Sequence, residues 1–175
     1  MKEVIILGSG PTRTECDYHC ETWGVNFVYT FAKKLDKLFF TDEASEVEKH
    51  PYQDLGRLKQ LKPILVFPIV YPKFRDFGLQ IDLYPIANIS KRFQNTVFFS
   101  DSIAYMLAYA LYYDYKKIWM YGIDFNPGLE KEQEQGGIEF WMGVALGMGV
   151  KVVVPDNSPI GKTWNNRMYG EFGNE

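Results

Sequence analysis

A few short clusters in this sequence carry residue types able to do chemistry. The first is Gly8-Ser9-Gly10-Pro11-Thr12, directly after an apolar run. Glycines there would let backbone N–H groups approach a phosphate, and a following helix would add the positive end of its dipole. The cluster is not a full dinucleotide fingerprint. Arg13 stands where a third glycine belongs, and the second apolar run ends in Asn26 instead of a ribose-binding carboxylate. It is not a P-loop either, since no Gly-Lys-Ser/Thr follows. The plainer alternative is a glycine turn that only starts a crossover.

Asn26 can donate and accept, which suits a base or a sugar hydroxyl, or it can cap a turn. Trp23 beside Asn26 and Phe27 could stack on a base. Thr41 and Asp42 close a further apolar run. Asp124 follows Tyr121-Gly122-Ile123 and could be a base, a metal ligand or a cap. Ser102 falls in the first turn of a long helical pattern, where it could meet a phosphate or help cap. Glu139 opens the last helical pattern, where the dipole favours a carboxylate. There is no Gly-x-Ser-x-Gly elbow, no His-Glu-x-x-His and no Cys-x-x-Cys. Cys16 and Cys20 would share a helix face, but a disulfide at that spacing strains a helix. His19 next to Cys20 suggests metal. With His50 the only other histidine, a closed tetrahedral site would need carboxylates as well.

Elements that would position these residues alternate short apolar runs with helical periods. That pattern predicts an α/β domain with a mostly parallel sheet. Strands are expected over Glu3–Leu7, Thr22–Val25, Lys37–Thr41, Pro63–Ile69, Ile118–Ile123 and Lys151–Val154. Short helices are expected over Glu43–Lys49 and Leu55–Leu61. A long one, capped by Ser100 or Asp101, should run to about Tyr113, with Ile103, Met106, Leu107, Ala110 and Leu111 at helical spacing. The last helix should start near Gly137, after a polar acidic loop from Pro127 to Gln135, and end with Gly149 as its cap. Residues 70–96 are rich in aromatics and prolines and read as a lid or insertion. In an open parallel sheet, ligands bind beyond the carboxyl ends of the strands, where the residues named above fall.

Size and composition fit one domain spanning 1–175. Of the 175 residues, 46% are hydrophobic and 23% charged, with a net charge of -3. This excludes a disordered chain, and it argues against an extended nucleic-acid-binding face, which needs clustered positive charge. No stretch reaches the roughly 18 apolar residues of a membrane span. The opening Met1-Lys2-Glu3 and a short apolar run read as a strand, and two isolated cysteines read as reduced thiols, so a cytoplasmic protein is expected.

Gly8-Ser9-Gly10-Pro11-Thr12 followed by Trp23-Gly24-Val25-Asn26 resembles the opening of a Rossmann-like superfamily. It contains bacterial CMP-sialic-acid sialyltransferases, motility accessory factors and hydroxymethylpterin diphosphokinase-like proteins. The resemblance continues through Ser102-Ile103-Ala104-Tyr105-Met106, Lys117 to Phe125, Ile138-Glu139-Phe140 and Val153 to Pro159. Small unassigned tailed-phage proteins look similar in the same segments. It implies a three-layer Rossmann-like fold. By carry-over, it also implies a nucleotide site that includes Gly8, Ser9, Gly10, Asn26 and Ser102, with Thr41 or Asp42 at a further contact. Pro11, Thr12 and Gly122 complete the candidate set. Two departures stand out. Asn126 occupies the place of the sialyltransferases' tyrosine, and Pro127 to Gln135 lacks their histidine base. The expected function is therefore a nucleotide- or nucleotide-sugar-binding protein, a small glycosyl- or phospho-transferase without that histidine. Asp124 or Glu139 would act as base or hold Mg²⁺ brought in with a nucleotide, and Glu132 or Glu134 could in principle supply a base. The alternatives are a nucleotide-sequestering protein and a structural interaction protein of phage origin. A homo-oligomer is left open.

Overall fold

A computed structural model describes residues 1–42, 54–69, 72–94, 98–124 and 129–162, with the backbone alone for 72–73 and 129–133. Branched apolar residues dominate β1, Glu3–Leu7, and Val4 to Leu7 are fully buried. Such a run, apolar on both faces, marks a central strand of a parallel sheet. The other strands are β2 (Glu21–Val25), β3 (Lys37–Phe39), β4 (Ile64–Phe67), β5 (Ile81–Leu83), β6 (Lys117–Tyr121) and β7 (Lys151–Val153). They form one sheet in the order β5-β4-β3-β2-β1-β6-β7, and every pairing is parallel. The order reverses between β1 and β6, which makes their carboxyl ends the topological switch point. This is the expected α/β, Rossmann-like architecture.

Alternation along the strands splits the core in two. Val4, Ile6, Trp23, Phe39 and Val66 face one layer, and Ile5, Leu7, Leu38, Leu65 and Phe67 face the other. The first layer holds α3 (Ser102–Tyr112) and α4 (Leu129–Gly147). The second holds α1 (Leu55–Leu61) and the 3-10 turn Asn26–Thr30. Asp101 caps α3 by accepting the Ala104 N–H at 2.7 Å. Ile103, Met106, Leu107, Ala110 and Leu111 are all buried, as their spacing requires. No helix among the described residues is long and apolar enough to cross a membrane.

Several expectations need correction. β3 ends at Phe39, so Thr41 and Asp42 lie beyond the strand. The last helix begins at Leu129, well before Gly137. Much of the acidic loop is therefore helix, and Glu139 lies mid-helix, away from the dipole end. Gly137 marks the place where α4 crosses Ser100: a Cβ there would overlap the Ser100 hydroxyl. Gly149 does take the left-handed cap conformation, at φ +71°. The described part of 70–96 is built into the domain. It supplies the edge strand β5, the helix α2 (Ile86–Arg92) and a 3-10 turn whose Phe74 and Phe77 join the second core. Cys16 and Cys20 are free and lie outside any α-helix. The helix expected over Glu43–Lys49, as well as His50 and Asn126, falls outside the described residues.

Candidate functional site

A cleft of about 480 Å³ opens at the carboxyl ends of β1, β2, β3 and β6. Gly8, Ser9, Gly10, Pro11, Asn26, Asp42, Ser102, Gly122 and Asp124 line it, all of them expected from sequence. Thr12, Thr41 and Glu139 do not.

Most amides of the glycine turn serve the protein itself. The Gly8 N–H donates to the Tyr121 carbonyl at 2.8 Å and the Gly10 N–H to the Gly122 carbonyl at 2.7 Å. The Thr12 N–H donates to Asp124 Oδ2 at 2.6 Å, and Pro11 has no N–H to give. Ser9 is left as the turn residue whose amide meets no acceptor among the described residues. Gly8 and Gly122 are glycine because their backbones touch: a Cβ on either would overlap the other's carbonyl. Gly122 also needs its φ of +68°. Arg13 folds back on the turn, donating from its guanidinium to the carbonyls of Ser9 at 2.7 Å and Gly10 at 3.1 Å. The junction extends the β1–β6 pairing past the strand ends.

Asp124 belongs to that junction. Its carboxylate accepts from the Thr12 N–H and from the Thr12 hydroxyl at 2.8 Å. Thr12 is buried, and its Oγ1 in turn accepts the Gly122 N–H at 2.8 Å. Of the three roles open to Asp124, capping is the one the geometry displays. Glu139, the other carboxylate expected to act as base, accepts from Gln135 at 2.8 Å and from the Gly161 N–H at 3.2 Å, outside the cleft.

The opposite wall is built differently. Asn26 ends β2 with φ +47°, a left-handed conformation that asparagine tolerates better than most residues. Its Nδ2 donates to Asp42 Oδ2 at 2.6 Å. That bond fixes the amide, because only the NH₂ end can face a carboxylate. Asn26 Oδ1 is then left buried and without a hydrogen-bond partner among the described residues. Thr41 Oγ1 and Ser102 Oγ are 2.5 Å apart, and Ser102 Oγ lies 3.4 Å from Asp42 Oδ1. Thr41 donating to Ser102, and Ser102 to Asp42, satisfies the chain. Asn26 just after β2, Thr41 and Asp42 beyond β3, and Ser102 at the start of α3 thus meet in one network.

Three further polar residues line the cleft: Ser100 and Asp101, expected only as helix caps, and Glu134, expected only as one of several acids able to supply a base. Asp101 was visible only as a helix cap, and Glu134 needed the earlier start of α4. Asp101 holds the Ala104 N–H through Oδ1, while Oδ2 is buried with no partner. Burial, helped by the Glu134 and Asp42 carboxylates and opposed by the Ala104 and Ile103 amides, pushes the Asp101 carboxyl up to about 7. None of the described residues lining the cleft is lysine or arginine.

Other candidates for chemistry fall away from this cleft. Trp23 is fully buried among Phe39, Tyr109 and Tyr115 and cannot stack on a ligand. His19 Nδ1 sits 2.5 Å from Asp17 Oδ1, and its ring meets Trp119 edge-on. No group of three or more metal-ligating side chains occurs among the described residues. Burial raises both thiols, that of Cys20 to about 11, so neither is an activated nucleophile.

No protein-family model and no curated protein matches the chain. Solved structures do. The sialyltransferase CstII from Campylobacter jejuni, in complex with cytidine-5'-monophosphate, aligns with a TM-score of 0.60 at 22% identity, over 90% of this chain and 81% of that one. CST-II with a trisaccharide acceptor and CMP aligns at 0.59 and 19% identity, over 90% and 82%. The monofunctional α-2,3-sialyltransferase Cst-I from the same organism aligns at 0.58 and 18%, over 90% and 77%. At these identities the likeness is one of fold, and the chain has a sialyltransferase-like, Rossmann-like α/β fold.

Proposed function

We propose that the cleft holds a nucleotide or nucleotide-activated sugar, and that the chain is a small transferase of the sialyltransferase-like or diphosphokinase-like kind. One observation carries this reading. Asn26 Oδ1, fixed by the bond from Nδ2 to Asp42, is an unmet acceptor in the wall of a cleft at the carboxyl edge of the sheet. A buried acceptor without a partner costs about 1–3 kcal/mol. A chain that kept only its fold has no reason to retain it, whereas a base amino group or ribose hydroxyl would satisfy it. Support comes from the fold, since solved structures that share it hold CMP. In this reading the phosphate lies toward the Ser9 amide and the Ser100 hydroxyl. For glycosyl transfer, an acceptor hydroxyl attacks the anomeric carbon and gives up its proton to water or to the departing phosphate, the bond from that carbon to the phosphate oxygen breaks, and the nucleoside phosphate leaves with the electron pair.

A second reading, binding without turnover, is favoured by the two carboxylates expected to act as base. Asp124 is engaged by Thr12, and Glu139 stands outside the cleft. Thermal-shift titration with cytidine, uridine, adenosine and guanosine phosphates, with and without Mg²⁺, tests both. A ligand at 100 times its Kd should add about 2.7 kcal/mol of stability. No shift with any of them would overturn the nucleotide reading. If one binds, the release of nucleoside phosphate from the matching nucleotide sugar separates transferase from binder.

A further inference from the structure

The cleft poses an electrostatic problem for the ligand proposed above. Asp42, Asp101, Asp124 and Glu134 line it and, among the described residues, no basic side chain does, so an entering phosphate meets four carboxyl groups. Of the amides at the glycine turn that could offset them, those of Gly8, Gly10 and Thr12 are bonded within the protein, which leaves that of Ser9. A divalent ion could compensate, but no metal-ligating group of three side chains occurs among the described residues.

The four acids are not equivalent. Asp124 is held as an acceptor by two donors on Thr12. Asp42 accepts from Asn26 and lies within reach of Ser102. Asp101 is the one whose second oxygen is buried with no partner among the described residues. A carboxylate oxygen in that position is poorly tolerated as an anion and gains by taking a proton.

We propose that the cleft takes up its anionic ligand together with a proton, and that Asp101 carries this proton. The inference rests on the nucleotide reading of the cleft. Protonation removes one of the four negative charges and turns an unmet acceptor into a donor. Its physical setting agrees: burial, with Glu134 on α4 and Asp42 beyond β3 as the facing charges, already pushes the Asp101 carboxyl up to about 7 in the free protein. An added phosphate raises it further. By reciprocity, affinity must then fall as pH rises and Asp101 ionises.

The test uses the full chain and the methyl phosphodiesters of cytidine, uridine, adenosine and guanosine 5'-monophosphate, whose phosphate keeps one fixed charge between pH 6 and 9. Kd is measured by calorimetry across that range, with and without Mg²⁺. Above about pH 7 the wild-type Kd should rise about tenfold per pH unit. At pH 8, binding in buffers of different ionisation enthalpy should show uptake of about one proton. The D101N variant keeps the cap, since asparagine is an equally good N-cap. It should bind with a Kd that changes by less than about threefold over the same range. A flat wild-type profile, an unchanged slope in D101N, or binding that follows Mg²⁺ and not pH would each overturn the proposal while leaving a nucleotide site intact. Absence of binding for every diester at every pH would overturn this inference and the nucleotide reading together.

Discussion

The two walls of the cleft answer the same local demand in opposite ways. At the β1–β6 junction every polar group of Thr12, Asp124 and Gly122 described above has a partner inside the protein. Across the cleft, Asn26 Oδ1 and Asp101 Oδ2 are buried and unmet. Sealed hydrogen bonds and glycine close approaches belong to architecture, while unmet buried atoms are what a ligand could complete. The junction should therefore break on small changes that leave no trace on ligand affinity. The facing wall should tolerate change in the fold and register it in binding.

The largest expected effect sharpens the first half of that contrast. Gly8→Ala puts a methyl group inside the Gly122 carbonyl, where the opposing atoms are backbone and cannot move aside cheaply. A loss of about 4 kcal/mol or more is expected in urea unfolding, with the protein partly unfolded at 37 °C. A loss under about 1 kcal/mol would show the junction to be pliable and return it to the list of adaptable, ligand-facing turns.

Next in size is a pH-dependent gain. Burial pushes the Asp101 carboxyl up to about 7 in the folded chain, against an ordinary value of 3.8. Because the folded state holds this proton more tightly, Asp101 adds nothing adverse below about pH 4. Its destabilisation grows as pH rises from about 4 to about 7 and is complete above that. Asp101→Asn removes the ionisation and keeps the cap. The variant should match the wild type at pH 4 and exceed it by about 2–4 kcal/mol at pH 8, read from paired urea titrations. Equal stability at both pH values would mean that the second oxygen is not isolated.

Thr12→Val comes third. It takes one hydroxyl donor from Asp124 and the acceptor of the Gly122 N–H, both at 2.8 Å. A loss of about 1–3 kcal/mol is expected, with the Kd for nucleotide unchanged because Thr12 does not line the cleft. A weakened Kd at unchanged stability would reverse the assignment of the two walls.

How much of this was legible follows from the same physics. Apolar alternation is a direct consequence of burial, so β1, β4, α1 and the buried face of α3 could be read closely. β5 could not: Ile81-Asp82-Leu83 is three residues at an edge, half exposed, with no periodicity to detect. The start of α4 was hidden because Leu129 to Gln135 is polar and helix-forming without an apolar stripe. In the site, Asn26, Asp42 and Ser102 could be named because strand ends are where ligands meet a parallel sheet. The error at Gly8 and Gly10 has a definite cause. A glycine records that something comes close, and sequence does not say whether it is a phosphate or the neighbouring strand. Asp101 illustrates the converse. Its capping role was readable from its place just before the helical apolar spacing, but the upward push on its carboxyl depends on burial and on Glu134 and Asp42, which are distant in sequence.

Asn26→Gly has the smallest effect on the fold and isolates the second half of the contrast. Glycine accepts the φ of +47° without strain, so the backbone of the turn is kept. The change removes the bond to Asp42 Oδ2, worth about 1 kcal/mol, and with it the unmet Oδ1, whose burial costs a similar amount. The two nearly cancel, and stability should stay within about 1 kcal/mol of wild type. Ligand affinity has no such compensation. If the acceptor is met only in the complex, its removal should weaken nucleotide binding about tenfold or more, the equivalent of about 1.4 kcal/mol. Asn26→Asp makes the sharper comparison, since it keeps an acceptor facing the cleft but sets a carboxylate against Asp42. It should lose stability, and regain it as pH falls and the pair takes up a proton. A glycine variant that binds as tightly as wild type would show that the buried oxygen serves the fold after all, and the distinction between the two walls would go with it.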